Sequence, residues 1–238
     1  MWPATDGVAM TDAFDPDRVE TVLFDSYGTL VDTDSAARAI EDLVDDPDAV
    51  ARDWRSKALF YSVVANDLDQ YATYFDLHVD GLRDALADRG IDIAADEARE
   101  RTAVYHDLDP FEDVARSFEQ LADAGYSPSI CSNGNPEMLE SLVESTGIEG
   151  SVAELVSADD VRTLKPAREL YDHAAERVDT EPERIAHVTA HWMDVQGATN
   201  AGMQGVFLAR DGEGWPSFGP APSLTVDSLA ALCARLGG

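Results

Sequence analysis

Lysine is almost missing from this chain of 238 residues and stands only at positions 57 and 165. Basic residues number 17 against 47 acidic ones, which gives a formal net charge of −30 at pH 7. A surface this negative repels nucleic acid and anionic membranes. We therefore expect neither of them as a partner.

Cysteine and long apolar runs are also scarce. Because Cys131 and Cys233 are the only cysteines, we do not expect a disulfide framework. We expect a reducing, cytoplasmic location instead. No stretch approaches the roughly 20 apolar residues of a membrane helix. Residues 1–19 are acidic and lack the pattern of a secretion signal. We expect a soluble protein in which residues 1–19 form a disordered extension.

The acidic excess has a further consequence for stability. Self-repulsion on this scale weakens a compact state at low ionic strength, whereas salt at 1 M shortens the screening length to about 3 Å. The composition is typical of proteins from a salt-loaded, halophilic cytoplasm. An ordinary acidic enzyme is the alternative, because net charge speaks to solubility rather than to fold.

Short apolar runs alternate with amphipathic helical patterns along most of the chain. A run that begins at Thr21 predicts the first strand, and similar runs predict strands at 128–131, 154–157, 185–189, 205–209 and 224–226. Helical patterns lie between or after them, at about 111–124, 136–146, 167–178, 194–201 and 227–236. Such alternation is typical of an α/β fold, here a Rossmann-like three-layer core with a parallel sheet.

Residues 36–105 break this alternation, since several helical patterns follow one another with no strand between them. They predict a helical cap inserted after the first strand of a core made of residues 20–35 and 106–238. Ligands of open α/β sheets bind beyond the carboxyl ends of the strands. An insertion at this point can close over that site.

Asp25 ends the first strand, where a carboxylate is costly unless donors surround it. From the residues alone, it could also cap the following turn. The run FDSYGTLVD, residues 24–32, resembles the first motif of the haloacid dehalogenase superfamily, whose members use this aspartate as a covalent nucleophile. The resemblance implies that Asp25 attacks the substrate, that Gly28 permits the turn, and that Thr29 offers a hydroxyl to the same loop.

Tyr27 occupies the position that separates the chemistries of this superfamily. Phosphatases carry a second aspartate there as the general acid for the leaving oxygen. A tyrosine with a pKa near 10 is a poor acid for that step. The leaving group should therefore need no proton, as with halide, and YGT at 27–29 is similar to the run of the L-2-haloacid dehalogenases. We include Tyr27 among the expected substrate-binding residues.

Two further motifs carry predicted contacts to the substrate. WRSKALFY, residues 54–61, resembles the cap helix whose arginine draws off the halide, which implies that role for Arg55. An exposed surface charge is the alternative.

CSNG, residues 131–134, resembles the motif whose Ser and Asn donate hydrogen bonds to the substrate carboxylate, which implies that role for Ser132 and Asn133. An ordinary turn rich in Ser, Asn and Gly is the alternative.

LKPARELY, residues 164–171, resembles the third motif, in which a lysine holds the nucleophile ionised. A cation near a carboxylate lowers the pKa of that carboxylate. The resemblance implies this role for Lys165, against the alternative of an ordinary exposed lysine. It also implies that Tyr171 donates a hydrogen bond in the site, as a substrate-binding residue.

HVTAHWMDVQGA, residues 187–198, occupies the place of the fourth motif and departs from it. Asp194 keeps the motif's aspartate, and Thr189 keeps a hydroxyl where the dehalogenases have serine, so that we include Thr189 among the substrate-binding residues. Ala190 stands where metal-dependent phosphatases place a magnesium-binding carboxylate. A hard cation has lost one oxygen ligand, so we expect no magnesium site and no other cofactor.

His191 replaces an asparagine of the dehalogenases. It could assist Asp194 in activating water, since the ordinary pKa of a histidine side chain lies near neutrality. It could also fill the pocket, or mark a changed substrate preference. His187, His191 and Asp194 could also suggest a transition-metal site. His187, however, falls within a predicted strand and the other two beyond its end, so we expect no metal here.

Together these motifs imply hydrolytic dehalogenation of a short L-2-haloalkanoate to a D-2-hydroxy acid. Asp25 would displace the halide and form an ester, and water activated by Asp194, with or without His191, would hydrolyse it. The alternatives are a phosphatase or phosphonate hydrolase of the same superfamily, and a non-catalytic relative that binds small carboxylates. The substrate and water are the expected partners, and the resemblance also implies a homodimer.

The net charge generates a first prediction. Thermal unfolding should shift to higher temperature between dilute buffer and molar KCl, because screening relieves self-repulsion. Scanning calorimetry at several KCl concentrations measures the shift. A midpoint that stays constant would contradict the halophilic interpretation.

Overall fold

The computed structural model describes residues 14–210, 212 and 214–237, which form eight strands and eight α-helices. The strands, in chain order, are β1 (Thr21–Phe24), β2 (Val31–Asp32), β3 (Asp109–Pro110), β4 (Ser127–Ser132), β5 (Leu155–Ser157), β6 (Ile185–Thr189), β7 (Gln204–Leu208) and β8 (Leu224–Val226). The helices are α1 (Pro47–Asp67), α2 (Tyr74–Ala87), α3 (Ala95–Thr102), α4 (Val114–Asp123), α5 (Pro136–Thr146), α6 (Arg168–Arg177), α7 (Trp192–Asn200) and α8 (Leu229–Arg235).

Six strands form one parallel sheet in the order β5-β4-β1-β6-β7-β8. The predicted α/β fold with a parallel sheet is therefore confirmed, and the core helices lie close to their predicted bounds. Strands β4 and β5 lie on one side of β1, and the later strands β6, β7 and β8 lie on the other side. This reversal of strand order creates a crevice at the carboxyl ends of β1 and β6, where open α/β sheets bind ligands.

Residues 36–105 contain α1, α2 and α3, and no strand is formed within this fully described range. Helices α1 and α2 pack closely: the indole nitrogen of the buried Trp54 donates to the His78 carbonyl at 2.6 Å. A Cβ at Gly81 would lie 3.0 Å from the Trp54 carbonyl oxygen, so a glycine permits this approach. The cap and core boundaries themselves stay a prediction.

A small antiparallel ribbon lies where the chain leaves and re-enters the core, and the sequence pattern did not predict it. In this ribbon β2 pairs with β3, with Val31 opposite Pro110 and Asp32 opposite Asp109. Each strand has only two residues, too few for the alternation of apolar and polar side chains that reveals a strand in sequence. The ribbon joins the two chain segments that connect the helical insertion to the sheet.

The extension expected over residues 1–19 needs a correction. Phe14 and Val19 are buried in the core, and the Phe14 amide donates to the Ser223 carbonyl at 3.2 Å. Residues 14–19 are thus packed against the core, because their two apolar side chains find partners there. Residues 1–13, the rest of the predicted extension, lie outside the described residues.

Within the described part of the chain, no helix is both long enough and apolar enough to cross a membrane. Cys131 and Cys233 are both free and buried.

The packing of α7 against β7 generates a prediction about stability. A Cβ at Gly205 would lie 2.6 Å from Thr199 Oγ1 and 2.8 Å from Val195 Cγ1. Gly205→Ala should therefore lower the free energy of unfolding by about 1–3 kcal/mol through overpacking. Denaturant unfolding in molar KCl measures the change.

Gly150→Ala is the matched control, since no atom lies within 4 Å of the added Cβ. We expect its effect to stay within about 0.5 kcal/mol. Equal stabilities of the two variants would contradict the overpacking argument.

Candidate active site

A cavity of about 310 Å³ opens at the carboxyl ends of β1, β4, β6 and β7, beneath the helical insertion. Its size falls at the lower end of the range for small-molecule sites, about 300–1,000 Å³. The predicted site residues that line it are Asp25, Tyr27, Arg55, Ser132, Asn133, Lys165, His191 and Asp194. Eight side chains from distant parts of the sequence thus meet at one edge of the sheet.

Asp25 follows β1 directly and is nearly buried, with 6% of its surface exposed. Its Oδ1 accepts a hydrogen bond from Lys165 Nζ at 2.8 Å, and its Oδ2 accepts from the hydroxyls of Thr29 at 3.0 Å and Thr189 at 3.5 Å. Its backbone amide donates to the Val188 carbonyl at 2.9 Å. Donors thus hold the carboxylate in one orientation and offset the cost of burying it.

Lys165 lies between two carboxylates. Its Nζ is 2.8 Å from Asp25 Oδ1 and 2.8 Å from Asp194 Oδ2, and the side chain is buried. Burial alone would lower the pKa of Lys165, but Asp194 and Asp25 outweigh it and hold that pKa above its ordinary value. The ammonium group therefore stays charged and favours the ionised form of Asp194.

Asp194 lies in the first turn of α7 and is buried beside Lys165. Its Oδ1 accepts from the Tyr171 hydroxyl at 2.7 Å and from His187 Nε2 at 2.9 Å, while its Oδ2 faces Lys165. Burial alone would raise the pKa of Asp194, yet His187 and Lys165 hold it below its usual range. Three of the roughly four lone-pair sites of the carboxylate are thus occupied.

Tyr27 forms part of the cavity wall with its ring 5.8 Å from that of Tyr105 and 6.0 Å from that of Tyr74, measured between centroids. Burial, the two neighbouring phenols and Asp25 raise the pKa of Tyr27 well above its ordinary value. The phenol stays protonated and is an even poorer proton donor than a free tyrosine.

Ser132 is the last residue of β4, and Asn133 follows it. Strand β4 lies on one side of β1, which leads to Asp25, and β6 lies on the other side. The Ser132 hydroxyl is 2.6 Å from the Ser26 hydroxyl and accepts from the Gly134 amide at 2.9 Å. Asn133 Oδ1 accepts from the Lys165 amide at 2.7 Å, which fixes its carboxamide. Both residues line the cavity with neutral polar groups.

Arg55 reaches the cavity from α1. Its guanidinium donates to the Thr33 hydroxyl and to Asp34 Oδ1, the latter at 3.3 Å, and its side chain is about one third exposed. Arg55 thus connects the helical insertion to the segment that follows β2. It supplies a cation at the rim of the cavity.

His191 immediately precedes α7, and its Nε2 lies 2.8 Å from the Tyr27 carbonyl oxygen and 3.9 Å from Asp25 Oδ2. Gly28, at φ +80°, has no side chain in the way, and a Cβ there would lie 3.0 Å from His191 Nε2. The left-handed backbone of Gly28 and the close approach of His191 both require glycine.

Three of the predicted residues are buried and do not line the cavity. Tyr171 and Thr189, which we expected to bind substrate, are fully buried and contact Asp194 and Asp25 instead. Thr29 is likewise buried and donates to Asp25. These side chains therefore contact the carboxylates and not the space of the cavity.

The residues present do not fit a magnesium site. Ala190 offers no oxygen ligand, and Lys165 already occupies the space between the two carboxylates. Among the described residues, no three His, Cys, Asp or Glu side chains are arranged to hold a metal ion.

Sequence reasoning missed two residues of this region. Arg210 follows β7, lines the cavity and donates to the Thr29 carbonyl at 3.0 Å, while its guanidinium lies 4.0 Å above the Phe111 ring. Its position after a strand of the sheet was the signal. His187 is the second, and its signal was a histidine within an apolar strand, which indicates a polar partner nearby.

The fold and the cluster of two aspartates and a lysine define a hydrolase of the haloacid dehalogenase-like class. The sequence profile of the haloacid dehalogenase-like hydrolases matches residues 19–202, so the chain belongs to this family. The resemblance inferred from the motifs is thereby confirmed.

Similar proteins point to one branch of the family. The chain is 30% identical over 218 residues to (S)-2-haloacid dehalogenase 4A of Burkholderia cepacia, with 91% of this chain and 94% of that protein covered. The structure of L-2-haloacid dehalogenase from Xanthobacter autotrophicus superposes with a TM-score of 0.87 at 26% identity, over 92% of this chain and 99% of that chain. The same enzyme with chloropropionic acid covalently bound gives a TM-score of 0.86 at 25% identity, over the same shares of both chains.

The lowered pKa of Asp194 generates a prediction about pH. A carboxyl whose folded pKa is depressed stabilises the protein above its unfolded pKa, about 3.9, and loses this contribution as the pH falls toward the folded pKa. Asp194→Asn should therefore be less stable than the native chain by roughly 3 kcal/mol above pH 5, because Lys165 loses a buried partner. Below pH 4 the difference should shrink.

Urea unfolding of both proteins between pH 2.5 and 7, in molar KCl, measures this difference. A gap that stays constant down to the lowest pH would contradict the depressed pKa of Asp194.

Proposed function

We propose that the protein hydrolyses short L-2-haloalkanoic acids to D-2-hydroxy acids through an aspartyl ester. The observation that carries this proposal is Asp25, a carboxylate that lines a small cavity and is oriented by Lys165, with Tyr27 in place of a general acid. The named (S)-2-haloacid dehalogenases among the similar proteins support the substrate class.

In the first step, a carboxylate oxygen of Asp25 attacks C2 of the substrate and the halide leaves with the bonding electrons. No proton is needed by a departing halide, which agrees with the raised pKa of Tyr27. Arg55 supplies the cation for the halide, because its guanidinium remains charged and offers several donors. Ser132 and Asn133 line the cavity where they can donate to the substrate carboxylate.

In the second step, water attacks the ester carbonyl of Asp25 and releases the hydroxy acid. Asp194 is the base expected from the family resemblance. Its lowered pKa makes it a weak base on its own, however, because a strongly acidic carboxyl gains little by taking a proton. We therefore propose that His191, which lines the cavity, shares the activation of water through its Nδ1, because its Nε2 donates to the Tyr27 carbonyl and cannot take a proton.

Lys165 stabilises the negative charges of Asp25 and Asp194 throughout this sequence. Thr29, Thr189 and Tyr171 act on these carboxylates and not on the substrate, and we assign them the role of orienting the site. We further propose a reducing, cytoplasmic location, supported by two free cysteines. A homodimer stays a prediction from the family resemblance.

Halide release tests the function directly. In molar KCl, the protein should release bromide from (S)-2-bromopropionate and little from the R enantiomer, followed by ion chromatography. Asp25→Asn should abolish the release because the nucleophile is lost. Chelator treatment should leave the rate unchanged, since the proposed mechanism uses no metal ion and Lys165 supplies the positive charge between the two carboxylates.

Two results would redirect the assignment. Magnesium-dependent release of phosphate from p-nitrophenyl phosphate, without halide release, would indicate a phosphatase. Stabilisation by 2-haloacids without any product would indicate a non-catalytic relative.

The route of the water oxygen tests the covalent mechanism. If Asp25 forms an ester, water enters at its side-chain carbonyl and the product receives an oxygen that Asp25 already carried. A single turnover in ¹⁸O-water should therefore label Asp25 and leave the first product unlabelled, as measured by mass spectrometry. Label in the first product with Asp25 unlabelled would overturn the mechanism.

The same experiment separates the residues that serve each step. Asp194→Asn and His191→Gln should let the ester accumulate as an adduct on the peptide that contains Asp25, because the second step slows. Arg55→Ala should instead slow halide release and leave no adduct, because halide departure loses its cation. An adduct that builds up in the Arg55 variant would contradict that role.

A further inference from the structure

His187 lies in the middle of β6, between Leu23 of β1 and Gly205 of β7. It is completely buried, and its chain neighbours Ala186 and Val188 are apolar. Burying a polar group without a hydrogen bond costs about 1–3 kcal/mol, which an apolar side chain at this position would avoid. A histidine at the centre of the sheet therefore requires a hydrogen-bond partner that offsets the cost of its burial.

One ring nitrogen of His187 has a strong partner. Its Nε2 lies 2.9 Å from Asp194 Oδ1, and since an ionised carboxylate only accepts, Nε2 donates. The Tyr171 hydroxyl donates to the same oxygen at 2.7 Å, and its ring stands perpendicular to the imidazole at 5.6 Å between centroids. Gly197 leaves room for this arrangement, because a Cβ there would collide with the Tyr171 hydroxyl.

Two donors on Oδ1 determine how the Asp194 carboxylate is turned. The final torsion of an aspartate side chain is broad, so an unrestrained carboxylate rotates readily. With Oδ1 held by His187 and Tyr171, Oδ2 points at Lys165 Nζ at 2.8 Å. Lys165 is then aligned on Asp25 Oδ1, also at 2.8 Å.

We propose that His187 is a positioning residue of the active site, which fixes the Asp194 carboxylate and, through it, the Lys165 ammonium against Asp25. His187 is not among the cavity-lining residues of the described chain, so it acts through Asp194 and not on the substrate. The kinetic consequence of this proposal rests on the proposed function. Its structural consequence does not.

The scarcity of lysine makes a direct test simple. In protein labelled with ¹⁵N-lysine, only Lys57 and Lys165 contribute ammonium signals. His187→Phe keeps an aromatic ring but removes the donor, and it should move or broaden the Lys165 signal while Lys57, which pairs with Asp88 at 2.9 Å in the helical insertion, stays unchanged. His187→Gln retains an amide donor at similar reach and should restore the signal of the native chain.

Val188→Ala is the matched control. This residue neighbours His187 on β6 and points to the other face of the sheet, so its truncation weakens the core without touching Asp194. It should leave the Lys165 signal in place despite a lower unfolding temperature. A Lys165 signal unmoved in His187→Phe, or moved equally in Val188→Ala, would overturn the proposal.

A second measurement does not depend on His187→Phe. Asp194→Asn should move the ¹⁵N signal of the His187 ring, assigned by its loss in His187→Gln, because the donor loses its charged acceptor. An unmoved ring signal would overturn the proposal even if His187→Phe fails to fold.

The kinetic test uses bromide release from (S)-2-bromopropionate. His187→Phe should slow the reaction about 100-fold, the scale of a misplacement near 1 Å, and His187→Gln should recover most of the rate. Equal rates for His187→Phe and the native chain would overturn the positioning role. If the native protein releases no halide, the proposed function fails, whereas the lysine and histidine signals still test His187.

Discussion

The site depends on one buried cation between two buried anions. Lys165 Nζ lies 2.8 Å from a carboxylate oxygen of each aspartate, in a region from which water is largely excluded. Removing one partner from such a cluster costs about 3–5 kcal/mol, because an uncompensated charge remains buried. The elements that carry Asp25, Lys165 and Asp194 must therefore hold their relative positions closely, and the packing around them serves that constraint.

The sheet meets this constraint through its topology. Reversal of the strand order at β1 brings the ends of β4 and β6 to either side of Asp25, and parallel pairing fixes their register. Close packing then sets the height of α7, since Gly205 on β7 leaves room for the side chains of Val195 and Thr199. The distances at the carboxylates thus derive from backbone register and from small residues at a few contacts.

Much of this arrangement could be predicted from sequence, because short apolar runs and clear turn residues reveal strands, and strand ends reveal the site. Asp25 and Ser132 directly follow predicted runs of this kind, whereas Lys165 was found from its motif. The direction of a side chain was harder to predict than the position of its residue in the fold. Tyr171 and Thr189 contact carboxylates and do not line the cavity, and sequence spacing does not say on which side of a carboxylate a hydroxyl lies. The packing of residues 14–19 on the core was not predicted, because two apolar side chains in an acidic segment give too weak a pattern.

The burial of Lys165 has a practical consequence for labelling chemistry. Lys57 is the one lysine side chain in the described chain with substantial access to amine reagents, and it lies on α1 of the helical insertion. Among the lysine side chains, such reagents therefore modify Lys57, on the face of α1 that carries it. Modification of Lys165 requires opening of the core, so the mass of the labelled lysine peptides reports unfolding without any engineered residue.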